Sequence, residues 1–117
     1  MKDLRDRVSE TRDLFAYLIV YAPELPAEDR TTLDAEIAMV RDNLGEIADH
    51  LSKSAHREWL NLALREVDEA KAAFEAGAPD KGIQLLQAAE GHFLNLLRNK
   101  SSRPEFVVDP GGKARKT

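Results

Sequence analysis

Apolar residues recur at spacings of three and four along most of the chain, the period of a helix that buries one face. Between about Lys2 and Ala22 the repeat is Leu4, Val8, Thr11, Phe15, Leu18 and Ala22, and Pro23 and Pro26 close it. The stretch LPAED, with Pro26 leading two acids, then reads as the start of a second helix. Its seam is the cleanest in the chain: Leu33, Ile37, Val40, Leu44, Ile47 and Leu51. A third segment starts near Ser54 and carries Leu60, Ala63, Val67, Ala70 and Phe74, flanked by Trp59. Gly77 is its expected left-handed stop, and Pro79 prevents continuation. The fourth opens on Asp80 as N-cap and runs through Ile83, Leu86, Phe93 and Leu97 to about Asn99.

The boundary between the second and third segments is the weakest, because LSKSAHREW contains neither Gly nor Pro. Ile47, Leu51, Ala55, Trp59 and Ala63 could carry one seam straight through. With a break near Ser52–Ser54, the pattern predicts an all-α, four-helix antiparallel up-down bundle over residues 1–100. Without it, helices 2 and 3 fuse into one long helix that needs a dimer to cover it.

Residues 101–117 carry no helical pattern and form the expected basic tail. Within it Phe106, Val107 and Val108 lie between prolines, either folding back to cap the bundle or docking on a partner. The chain's net charge is −4, and the tail holds four cations against two anions, which leaves −6 on the first 100 residues. An acidic body is a poor surface for neutralising phosphates, so nucleic-acid binding is disfavoured. It survives as an alternative function, a nucleic-acid-associated regulator using the KARK tail.

Candidate chemistry narrows the picture further. The absence of cysteine removes disulfides, thiolate metal sites and thiol catalysis. The charged N-terminus does not resemble a secretory signal, and the longest apolar run, Leu14–Ala22, is too short to span a membrane. A cytoplasmic protein with no membrane association is therefore expected. Glu46 and His50 are four apart and Glu90 and His92 two apart, so no Glu-x-x-His pair offers a di-iron site, and no metal or cofactor is expected. No nucleophile elbow or phosphate loop appears, which argues against an enzyme and leaves no small-molecule substrate evident.

Two polar residues fall inside apolar arcs, Thr11 in the first helix and Glu90 in the fourth. They are expected to be buried in a middle layer, with Glu90 meeting a donor from Thr11 or a nearby arginine and so fixing helix register. His56 and Trp59 read as core residues at the start of the third helix. The first helix also carries Tyr17, Val20 and Tyr21 on or beyond the edge of its arc. The fourth has a second stripe, Leu85, Ala89, His92 and Leu96. These seven residues are the candidate interaction surface, for a homodimer or another protein.

Residues 66–97 resemble part of a tetratricopeptide unit through Ala73, Phe74, Gly77, Asp80, Gly82, Leu86 and Ala89. Such units come in tandem copies of about 34 residues. The chain around Gly45 instead continues as helix, and Ala78–Pro79 stands where the family prefers an aromatic. The resemblance implies a helical hairpin and no peptide-binding groove, and the chain is assigned to no family on it. The expected function is that of a small acidic, non-enzymatic regulator, inhibitor or adaptor that works by protein–protein contact and self-associates.

Overall fold

A computed structural model describes residues 3–101, with side chains through Arg98. Ser101, assigned to the tail, is the last residue of the fourth helix, and the tail beyond it, including Phe106–Val108, lies outside the described residues. The described residues form four α-helices: α1 (Leu4–Tyr21), α2 (Leu33–Asp49), α3 (Ser54–Glu75) and α4 (Pro79–Ser101). Each packs on its neighbours in sequence, and α4 closes the ring against α1. The result is the four-helix bundle that the apolar periodicity predicts.

The helix ends follow from local chemistry. Asp3 caps α1 by accepting from the amide of Asp6 at 2.9 Å. LPAED does not start α2: Ala27–Asp29 makes one 3₁₀ turn that ends at Arg30 in the left-handed region. The helix begins at Leu33, where the Thr32 hydroxyl accepts from the amide of Ala35 at 3.1 Å. A hydroxyl cap satisfies an amide that the proline start would leave open. Between α3 and α4, Gly77 takes φ +79° and the amides of Gly77 and Ala78 bond back to the carbonyls of Phe74 and Ala73. This is a Schellman stop, as the glycine signalled. Pro79 opens α4 and puts Asp80 in the first turn, not at the cap.

The α2–α3 break is real, and a side chain holds it. Helix α2 ends at Asp49 and α3 begins at Ser54 with no side-chain cap. The Arg57 guanidinium Nη1 donates to the Leu51 carbonyl at 2.8 Å, while Leu51 itself is buried in the core. One arginine thereby satisfies a carbonyl that the broken helical ladder releases.

The core is contributed by all four helices. Phe15, Leu18, Val40, Leu44, Leu60, Val67, Leu86 and Phe93 are fully buried, and the Phe15 and Phe93 rings meet across α1 and α4 with centroids 6.1 Å apart. On α4 the buried line is Gly82, Leu86, Ala89, Phe93 and Leu96. The sequence pattern pointed instead to Ile83, Leu86, Glu90, Phe93 and Leu97. Helix α4 is thus turned toward α3 relative to expectation. Small residues accompany the turn: Ala63, Ala70 and Ala73 of α3 and Ala89 of α4 are all buried, and small side chains let helices approach closely. A Cβ on Gly82 would stand 2.6 Å from the Phe74 ring, so even the first turn of α4 is in close contact.

Candidate interaction surfaces

The rotation of α4 decides the fate of most candidate residues. Ala89 and Leu96, assigned to a surface stripe, are core residues with essentially no exposure. Leu85 and His92 from the same stripe are half-buried on the outer side of the α3–α4 pair. There His92 Nδ1 lies 2.7 Å from Glu66 Oε1, close enough for the carboxylate to accept from the ring N–H. Trp59 is not core. It is half-buried on this outer face, its ring 5.3 Å from that of His92. His56 is also only half-buried. Two apolar-walled grooves flank the His92–Glu66 bond. One, of about 330 Å³, is lined by Ala55, Glu58, Trp59 and Leu62, and the other, of about 350 Å³, includes Ala72, Ala76, Lys81 and Leu85.

The polar layer differs from the expected one. Thr11 is fully buried, but its hydroxyl donates to the Arg7 carbonyl one turn back at 2.6 Å. That bond stays within α1 and needs nothing from another helix. Glu90, expected to be buried beside it, is half-buried and lines a groove between α1 and α4 with Ser9, Arg12 and Asp13. The turn of α4 places Ala89 in the core in its stead and spares the bundle a buried carboxylate.

Of the two buried polar side chains among the described residues, Thr11 and Asn43, it is Asn43 that joins two helices. It is 3% exposed, sits in α2 among the apolar seam, and bonds twice to α1. Arg7 Nη1 donates to its Oδ1 at 2.9 Å, and its Nδ2 donates to Glu10 Oε1 at 2.9 Å. Arg7 Nε also stands 3.8 Å from Glu46 Oε1. The signal was present in the sequence, because Asn43 falls three residues after Val40 and four before Ile47, on the buried side of the helix.

At the end of α1, Val20 is 70% and Tyr21 46% exposed. Tyr17 beside them is half-buried, its ring 5.2 Å from that of Tyr21 and its hydroxyl donating to Asp29 Oδ2 at 2.7 Å. Burial of the phenol, and then the Asp29 carboxylate that accepts its proton, push the Tyr17 pKa up to about 12. The folded chain therefore holds this proton above the ordinary tyrosine value of about 10, and stability falls as pH rises from there through the folded pKa. Asp29→Asn removes the charge and is expected to bring the Tyr17 midpoint down toward 10 in a titration of tyrosinate absorbance. An unmoved midpoint would show that Asp29 has no part in the shift.

Among the described residues no group of three or more His, Asp or Glu side chains is placed to hold a metal ion. In the same region no helix is long and apolar enough to cross a membrane. The fold and these surfaces define an all-α four-helix bundle with apolar patches at both ends. No protein-family model, curated protein or solved structure matches the chain.

Proposed function

We propose that this protein is a non-enzymatic module acting through protein–protein contact, and that it pairs with a second copy of itself through the end of α1. The observation that carries this reading is the exposed Val20–Tyr21 pair, two adjacent apolar side chains on a rigid helix end. The Tyr17–Asp29 bond fixes the ring that flanks them, so the surface is ordered before any partner arrives. Aromatic residues with a polar tip are enriched at such contacts. The polar side chains in and around the core support the same reading, since Asn43, Arg7, Glu10 and Thr11 are occupied in bonds within or between helices. A two-fold pairing is the commonest way a single small patch is used twice.

Light scattering coupled to size exclusion tests the pairing. The chain is expected to approach dimer mass at about 100 μM and to shift toward monomer at about 1 μM, as a contact of micromolar strength would. Val20→Glu combined with Tyr21→Ser should leave a monomer at both concentrations with unchanged helicity, because both positions face solvent. Monomer mass at the higher concentration in the unsubstituted chain would rule the reading out.

A further inference from the structure

Exposed apolar side chains and negative charge collect in the same part of this molecule. Val20, Tyr21 and Met39 are the large apolar side chains left exposed among the described residues. Val20 and Tyr21 end α1. Met39 lies on α2 three residues after Glu36, whose carboxylate interacts with Tyr17 of α1, and four before Asn43, which bonds to Arg7 and Glu10. All three therefore belong to the α1–α2 hairpin, with Met39 on the side of α2 turned to α1. Residues 13–36 hold Asp13, Glu24, Glu28, Asp29, Asp34 and Glu36 against Arg30 alone, a net of −5 and nearly all of the −6 carried by the first 100 residues. Among the described residues none of these six carboxylates forms an ion pair, whereas Glu46 and Asp68 elsewhere meet Arg7 and Arg41. Asp29 and Glu36 accept instead from the hydroxyls of Tyr17 and Thr31, each at 2.7 Å, which leaves their charge uncompensated. Glu24 is held beside the exposed pair, its amide donating to the Tyr21 carbonyl at 3.1 Å.

This distribution discriminates between occupants. A second copy docked about a two-fold axis sets the acidic patch against itself, so self-pairing gains apolar burial and loses to like-charge repulsion. A basic partner gains on both counts, and the acidic field also speeds its encounter. We infer that the α1 end docks a segment of another protein that carries apolar side chains among lysines or arginines, and that this segment displaces the second copy. The inference rests on the reading of Val20–Tyr21 as a contact surface, and it makes self-pairing the weaker of two uses of that surface. Salt separates the two uses. Screening relieves the like-charge contact and weakens the opposite-charge one, so the two affinities move in opposite directions as ionic strength rises.

A short amphipathic leucine–lysine peptide is the probe, followed through the amide resonances of the isotope-labelled full chain. At about 20 mM salt it is expected to shift the amides of Val20, Tyr21 and Met39 and to lower the dimer fraction, and its affinity should fall about ten-fold by about 200 mM. Self-pairing should tighten over the same range. Glu24→Lys with Glu28→Lys, both at exposed positions, removes four units of negative charge. It should weaken the peptide about ten-fold and strengthen self-pairing at low salt, with unchanged helicity. Val20→Glu with Tyr21→Ser should lose the peptide although it adds an acid, which separates docking from simple charge attraction. Equal binding of a leucine–glutamate peptide, shifts centred away from these three amides, or full binding by the Val20–Tyr21 variant would overturn the inference. Self-pairing that holds constant or loosens as salt rises would overturn it as well, because the acids would then lie outside the contact. The two readings fail separately. A chain that is monomeric at about 100 μM yet binds the peptide at these amides keeps the basic partner and discards self-pairing, whereas a dimer that ignores the peptide does the reverse.

Discussion

Phe93→Ala is expected to destabilise the bundle by about 3–5 kcal/mol, the cost of losing a buried aromatic side chain and leaving a cavity behind. Against a total stability of order 5–15 kcal/mol for a domain this size, that is enough to leave a measurable unfolded population at moderate temperature. The site has little capacity to collapse. Phe93 is fully buried and meets Phe15 of α1 across the bundle, and Leu86, Leu96 and Ala89 beside it on α4 are also buried. Helices α1 and α4 meet less extensively than α3 and α4, and the Phe15–Phe93 ring pair is one of the contacts that joins them. Phe15→Ala should cost a similar amount. The double variant should cost less than the sum, because the second truncation enlarges an existing cavity and the ring–ring contact is lost only once. Urea titrations of the four chains in the cycle give the coupling, and strict additivity would mean the rings do not depend on each other.

Asn43→Leu is expected to cost about 2 kcal/mol even though it places an apolar side chain on an apolar seam, because hydrogen bonds to charged partners are worth about 1.5–3 kcal/mol each way. Arg7 and Glu10 both lose the amide that bridges them to α2, and they stay half-buried at the helix margin. The triple change Arg7→Met, Glu10→Met, Asn43→Leu should recover most of the loss or exceed it, since an apolar replacement of a whole buried polar cluster is often neutral to stabilising. What the triple variant should forfeit is a unique α1–α2 alignment, visible as broadened amide resonances on both helices. Sharp, fully dispersed spectra in the triple variant would show that the polar bridge contributes no specificity.

The architecture was legible because three of the four helices show their buried face in a clean three-four spacing. Gly77 and Pro79 likewise mark the α3–α4 corner. What periodicity could not supply was the rotation of α4. Two overlapping apolar stripes run along that helix, Ile83–Leu97 and Leu85–Leu96 with Ala89 between, and the choice depends on the partner helix. The buried line is Leu86, Ala89, Phe93 and Leu96, a tertiary outcome that α4's own residues do not decide. Thr11 and Glu90 stand out in the sequence because they lie in apolar arcs, whereas Asn43 does not, because the Leu–Ile–Val seam beside it is already complete. Its bonding partners, Arg7 and Glu10, lie on the polar side of α1 and become meaningful only when α2 is set against them. The exposure of the candidate surface residues was only partly legible. Val20 and Tyr21 stand exposed, whereas Ala89 and Leu96 are covered and Trp59 lies on the outside of the pair.

The α2–α3 corner has a consequence of its own. It contains no glycine or proline, and its Leu51 carbonyl is satisfied by a single guanidinium from Arg57. The residues from Ile47 to Ala63 keep helical spacing through it. Were Ser52 and Lys53 to enter the helical ladder, the α3–α4 hairpin would swing away from α1–α2 with its own contacts intact. The corner is therefore the point where the chain turns instead of continuing as one helix, and the Arg57 bond to the Leu51 carbonyl favours the turned form.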